Sequence, residues 1–100
     1  MKIYITGKVT GTPIHECTMK FGVAQQQVLL LNHEPINPLE VVNDWHTPWE
    51  AAMRKCITAL MTADAVFALP CSHDSRGAAI ELELAKQLNI PIYTNVTQIP

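Results

Sequence analysis

The chain has 100 residues and a mass of 11.1 kDa, which corresponds to one domain with one hydrophobic core. Apolar residues make up 48% of it and charged residues 16%, which excludes an intrinsically disordered protein. A net charge of −2 argues against nucleic acid or anionic lipid as the partner, and no apolar run is long enough to span a bilayer. Three cysteines without CxxC spacing argue against disulfides and a zinc site. We expect a single cytoplasmic domain over 1–100, without a metal or other cofactor.

Strands and helices alternate along the first half of the sequence. The β-rich run Lys2–Thr6 ends at Gly7 and predicts the first strand. Apolar residues that recur at steps of three and four predict a helix over Ile14–Leu31. Glu34–Asn37 indicates a second, weaker strand, which Pro38 ends.

The second half begins with the clearest local signal, Thr47-Pro48-Trp49-Glu50. Its spacing is that of a capping box, so we predict a helix that Thr47 caps and that runs to about Met61. The remaining predicted elements are a strand over Asp64–Leu69, a helix over Gly77–Leu88 and a strand over Ile90–Thr94.

This alternation predicts a doubly wound α/β domain, with four parallel strands in the order 2-1-3-4 and three helices. The unbroken apolar character of Asp64–Leu69 is typical of a parallel strand that is covered on both faces. Ligands of such sheets bind outside the carboxyl ends of the strands. The loops after Thr6, Ile36 and Leu69 are therefore the predicted site.

Glu81 is the residue that a purely structural interpretation explains least well. At about 100° per residue it falls in the middle of the apolar stripe of the last helix, whereas Glu83 and Lys86 point away from it. A buried carboxylate is costly unless it is paired or lies at a cavity. Glu81 is therefore either tied down by a neighbouring group or part of a site at the strand ends, and the second interpretation is favoured.

The polar segment Ser72–Gly77 leads into the same helix, whose free N–H groups suit an anion such as phosphate. Gly7–Gly11 lacks the spacing of a Walker A loop. His73 lies near Cys71 but matches no zinc pattern, so we expect it at the surface. Trp45 and Trp49 are candidates for stacking on a base, and Trp49 is equally a candidate core residue.

Five segments, in order and over nearly the whole chain, resemble the nucleoside 2-deoxyribosyltransferase-like superfamily, in particular its compact phage and bacterial members near the deoxynucleoside 5′-monophosphate N-glycosidases. The segments are Met1–Gly7, Ile36–Pro38, Thr47–Glu50, Ala63–Val66 and Ser75–Glu81. The last, with the pattern Ser-x-Gly-Ala-x-x-Glu, is the most specific.

The resemblance implies a flavodoxin-like fold and chemistry at the N-glycosidic bond of a deoxynucleoside or its 5′-phosphate. It implies that Glu81 is the nucleophile, that Tyr4 lies beside it and that Ser75 helps to hold the phosphate. The substrate-binding residues that we expect are Gly7, Asn37, Ser75, Arg76, Gly77 and Ala78.

One position departs from this pattern, because Cys56 stands where relatives carry an acid near the base. The first hypothesis is therefore an N-glycosidase or deoxyribosyl transferase acting on a deoxynucleoside 5′-monophosphate. The alternatives are a nucleotide-binding protein without catalysis and, less favoured, an interaction module with a vestigial site. The broad apolar arc of Trp49, Met53, Ile57 and Met61 favours a homodimer over a monomer.

Overall fold

The computed structural model describes residues 1–100, in which four parallel strands form one sheet with helices on both faces. The strands are β1 (Lys2–Thr6), β2 (Glu34–Ile36), β3 (Ala65–Ala68) and β4 (Ile92–Tyr93). The helices are α1 (Ile14–Leu30), α2 (Pro38–Val42), α3 (Trp49–Leu60) and α4 (Arg76–Gln87), with short 3-10 helices at Pro70–Asp74 and Val96–Gln98. The sheet order is β2-β1-β3-β4, which confirms the predicted fold class and strand order.

The alternation of side chains along β1 divides the interior into two cores. Ile3 and Ile5 pack with Phe21 of α1 on one face of the sheet. Tyr4 points to the other face and packs with Leu60 of α3 and with Ala85 of α4. Tyr4 and the residue two positions after it on β1 therefore point towards α3 and α4. Only strand side chains on this face of the sheet can reach the site.

The register of the sheet brings the carboxyl ends of its two central strands together. Tyr4 is paired with Val66, and Thr6 is paired with Ala68. The backbone N–H of Leu69 continues this ladder by donating to the Thr6 carbonyl oxygen at 2.9 Å. The loops that follow β1 and β3 consequently emerge side by side, beside the start of α4.

Two local predictions are wrong. The expected number of three helices omits α2, which begins at Pro38, where we expected only the end of a strand. Asn37 is the N-cap of α2, because its side chain accepts a hydrogen bond from the Leu39 N–H. Thr47 does not cap α3: the capping position is Pro48, and no side chain caps this helix end.

The other element boundaries lie within two residues of those predicted, a difference that is usual where strands and helices fray. The last helix begins at Arg76 and not at Gly77, because Ser75 is its N-cap. None of the helices is long and apolar enough to cross a membrane.

Candidate active site

A cavity of about 770 Å³ opens at the carboxyl ends of the strands. Its wall comes from three parts of the chain: β1 with its following loop, the segment from α2 through α3, and the start of α4. This volume lies within the range of about 300–1,000 Å³ that is usual for small-molecule sites. The predicted site residues in its wall are Tyr4, Gly7, Cys56, Ser75, Arg76, Gly77, Ala78 and Glu81.

Glu81 lies in this wall and is only 5% exposed. The Tyr4 hydroxyl donates to Glu81 Oε2 at 2.6 Å, and the Thr6 hydroxyl donates to Glu81 Oε1 at 2.9 Å. Burial raises the pKa of Glu81, and these two hydrogen bonds oppose the rise without cancelling it. The carboxylate is thus poorly solvated and fixed at both oxygens.

The neighbours of Glu81 are held in their neutral forms. Burial, followed by the negative charge of Glu81, raises the pKa of Tyr4. Burial also raises the pKa of the Cys56 thiol, and the neighbouring Tyr4 hydroxyl opposes this rise. At neutral pH the deep part of the cavity therefore presents a phenol and a thiol next to one carboxyl group.

The start of α4 supplies the polar side of the cavity. Ser75 Oγ accepts a hydrogen bond from the Ala78 N–H at 3.2 Å, whereas the N–H groups of Arg76 and Gly77 donate to no protein acceptor. The Arg76 guanidinium lies 4.2 Å from the centroid of the Trp49 ring and forms no salt bridge. This helix end therefore has free donors and an unpaired cation beside the cavity.

Two glycines allow close packing around the site. A Cβ on Gly7 would lie 3.1 Å from Leu69 Cδ1 and 3.2 Å from Phe21 Cζ, so a side chain at this turn would require these neighbours to shift by a few tenths of an ångström. A Cβ on Gly77 would lie 3.0 Å from Met53 Sδ, because α4 packs close to α3 at this point.

Asn37 is the predicted site residue that does not line the cavity. Its amide oxygen caps α2 and its Nδ2 donates to Gln25 Oε1 at 2.9 Å. The next two residues, Pro38 and Leu39, form the cavity wall at this point. Asn37 therefore lies behind the wall, where it shapes the loop after β2.

One residue that was not predicted as a site residue, Thr6, also contacts Glu81. Thr6 follows Tyr4 by two positions on β1, and this spacing is the sequence signal that places both on one face of the sheet. Trp45, a predicted candidate for stacking on a base, lines the cavity on the segment between α2 and α3 and is 48% exposed. His73 is exposed, as expected, and its Nδ1 lies 2.6 Å from the Pro70 carbonyl oxygen.

The structure has no group of three or more His, Cys, Asp or Glu side chains that is arranged to hold a metal ion. A second cavity, of about 740 Å³, lies on the α1 side and includes Lys20, Cys71 and Asn95 in its wall. It contains none of the residues around Glu81, so the chemistry described above belongs to the first cavity.

Comparisons with known proteins agree with this fold. The solved structure of a 2-deoxyribosyltransferase from the psychrotolerant bacterium Bacillus psychrosaccharolyticus is similar to this chain, with a TM-score of 0.71 and 21% sequence identity over 92% of this chain and 69% of the other. At this identity the likeness shows a shared fold. No curated protein matches the sequence. A family model described as "Domain of unknown function (DUF4406)" matches residues 1–94, and the chain therefore belongs to the DUF4406 family.

Proposed function

We propose that the protein cleaves the N-glycosidic bond of a deoxynucleoside 5′-monophosphate or transfers its deoxyribosyl group, with Glu81 as the nucleophile. The observation that carries this proposal is the buried Glu81 carboxylate, held by two hydroxyl donors in the wall of a cavity of about 770 Å³. The fold that the chain shares with a 2-deoxyribosyltransferase supports it.

In the proposed reaction one Glu81 oxygen attacks C1′ of the sugar as the C1′–N bond breaks. The base leaves with the electron pair of that bond and takes up a proton from water in the open cavity. A water molecule or an acceptor base then attacks C1′, loses a proton, and releases Glu81 as a carboxylate. Two displacements at C1′ retain its configuration, as in retaining glycoside hydrolysis.

The start of α4 is the proposed phosphate-binding element. The free N–H groups of Arg76 and Gly77 and the positive end of the helix dipole favour an anion. The Arg76 guanidinium, which stacks on Trp49, adds a cation that no carboxylate neutralises. The Ser75 hydroxyl accepts from Ala78 and keeps its own hydrogen free to donate to a phosphate oxygen.

A panel of deoxynucleosides and their 5′-monophosphates tests the proposal, with released base measured by chromatography. We expect base release from at least one monophosphate, and weaker binding of the matching nucleoside. Glu81→Gln should lower the rate at least about a thousandfold, since each 1.4 kcal/mol of lost transition-state stabilisation is about tenfold. Glu83→Gln, an exposed carboxyl on the same helix, is the matched control and should retain the rate. Retention of the rate in Glu81→Gln would contradict the nucleophile assignment.

Cys56 favours a second candidate, a nucleotide-binding protein without catalysis. The resemblance implies an acid at this position, and the structure has a thiol whose pKa burial raises. In this case monophosphates raise the melting temperature without release of base. Base release by Cys56→Asp but not by the native chain would then favour the binder and indicate that the rest of the site is intact.

We also propose that the protein forms a homodimer in a reducing cytoplasm, where its three cysteines stay free. Trp49, Met53 and Ile57 are half-buried within the chain, which leaves less of α3 for a partner than expected. The outer face of α1 is more open, with Met19, Val23 and Leu30 being 58%, 56% and 81% exposed.

Light scattering at micromolar concentration should give twice the chain mass of 11.1 kDa. Leu30→Glu should return the mass to that of the monomer, because it places a charge in the apolar face. Lys86→Glu, an exposed change on α4, is the control and should leave the dimer intact. A monomer mass for the native chain would contradict the dimer.

A further inference from the structure

Thr6 is a buried hydroxyl whose donated hydrogen bond goes to the proposed nucleophile. The residue is 0% exposed, and its Oγ1 lies 2.9 Å from Glu81 Oε1. Its backbone is fixed by the ladder between β1 and β3, since its carbonyl oxygen accepts from the Leu69 N–H at 2.9 Å. A β-branched residue in a strand also has little freedom about χ1. The hydroxyl is thus presented to Glu81 from a rigid support.

Tyr4 and Thr6 bind different oxygens of the same carboxylate. With a single donor the group keeps freedom to rotate about its last torsion, whereas donors at both oxygens define its plane. An ionised carboxylate only accepts hydrogen bonds, while a protonated one must donate at one oxygen. Two hydroxyl donors, one at each oxygen, therefore match the ionised form that a nucleophile requires.

We infer that Thr6 is a positioning residue, whose hydroxyl orients the Glu81 carboxylate for attack and keeps it ionised in the buried wall of the cavity. The inference rests on the proposed function in that Glu81 is taken to attack a substrate, but the orientation and ionisation of Glu81 are properties of the protein alone. They can be measured without any substrate.

The other ionisable groups near Glu81 allow the effect of Thr6 to be separated from theirs. Tyr4 of β1 and Cys56 of α3 face it directly and are neutral, because burial raises the pKa of both. The remaining ionisable side chains of the cavity are Asp44, Asp74 and Arg76. A change at Thr6 leaves all of these groups in place, so a shift in the titration of Glu81 reports the lost hydroxyl.

The first test is the titration of Glu81, followed by NMR of its ¹³C-labelled carboxyl carbon and assigned by the loss of that signal in Glu81→Gln. Thr6→Val has the same shape without the hydroxyl, and we expect its midpoint to lie about one pH unit or more above that of the native protein. Thr6→Ser keeps the hydroxyl and should titrate as the native protein does. Thr6→Cys, with a weak S–H donor, should lie between them and serves where Thr6→Val does not fold.

The second test is the pH profile of base release. The acid limb should move upward in Thr6→Val by the same interval as the titration, and Thr6→Ser should restore it. Identical titrations of Thr6→Val and the native protein would overturn the inference, as would a Thr6→Ser midpoint displaced as far as that of Thr6→Val. Absence of base release from the native chain would count against the proposed function alone, because the titration still tests Thr6.

Discussion

At the scale of single residues, the three cysteines show how differently one side chain behaves in one small domain. Cys17 and Cys56 are buried, and burial raises the pKa of both thiols. Burial alone would also raise the pKa of Cys71, but its Sγ lies 3.2 Å from the Lys8 N–H and 3.1 Å from Lys20 Nζ. These donors and the Lys20 charge bring its pKa below the ordinary value.

We therefore expect iodoacetamide at neutral pH to alkylate Cys71 at least about tenfold faster than Cys17 or Cys56, because the thiolate is the reacting form. Peptide mass spectrometry over a time course measures the three rates in one sample. Lys20→Met should slow the labelling of Cys71, since it removes the neighbouring charge. Lys55→Met changes an exposed lysine on α3 and should not. Equal rates at the three cysteines would contradict this prediction.

Glu81 and its hydrogen-bond donor Thr6 differ in how far the sequence predicts them. Glu81 stands out because a carboxylate interrupts an apolar helical stripe, which periodicity alone detects. Thr6 gives no such signal, since a threonine at the end of a strand is ordinary. Its importance depends on the distance from β1 to α4, which only the folded chain supplies. Local pattern thus predicts unusual residues, and tertiary structure is needed to find their partners.

At the scale of elements, the predicted bounds of strands and helices are correct or nearly so where the hydrophobic period and the turn residues that end it agree. The strand Lys2–Thr6 has the predicted bounds, because a β-rich run meets Gly7 directly. The helix α1 ends at Leu30, one residue before the predicted end, and is long enough for its apolar period to repeat several times.

The errors occur where an element is too short or where packing competes with local signals. The five residues of α2 complete little more than one turn, so no period is visible, and local pattern at Asn37-Pro38 predicts only the end of a strand. This pair is in fact a helix start, with Asn37 as cap and Pro38 in the first turn. At Thr47 the local capping pattern is overridden: the helix starts after Pro48, and Thr47 joins the cavity wall.

At the scale of the whole molecule, burial of the Glu81 carboxyl group beside one of the two cores lowers the free energy of unfolding when the group is charged. Burial raises the pKa of Glu81 in the folded protein above its value in the unfolded chain. Below the unfolded value, about 4.3, the group is protonated in both states and costs nothing. As the pH rises through the unfolded and then the folded pKa, the unfolded state gives up its proton more readily. Folding stability is consequently lost over this interval.

This cost predicts that removing the proposed nucleophile stabilises the protein. Glu81→Gln keeps the shape and leaves an oxygen to accept from Tyr4 or Thr6, but it has no charge to desolvate. At neutral pH its melting temperature should exceed that of the native chain, by roughly 4–8 °C for each 1 kcal/mol of relieved cost. The difference should shrink towards zero as the pH falls to about 4, because the native carboxyl group becomes neutral in both states.

Thermal unfolding followed by circular dichroism across this pH range measures the difference directly. Glu83→Gln alters an exposed carboxyl two residues away on the same helix, and its difference from the native chain should show no such trend. A Glu81→Gln variant that melts below the native chain at neutral pH would mean that Tyr4 and Thr6 more than offset the burial of the charge. Glu81 would then be a stabilising structural acid. A gain in stability together with loss of base release would instead be typical of a charge that is kept for its chemistry at the expense of the fold.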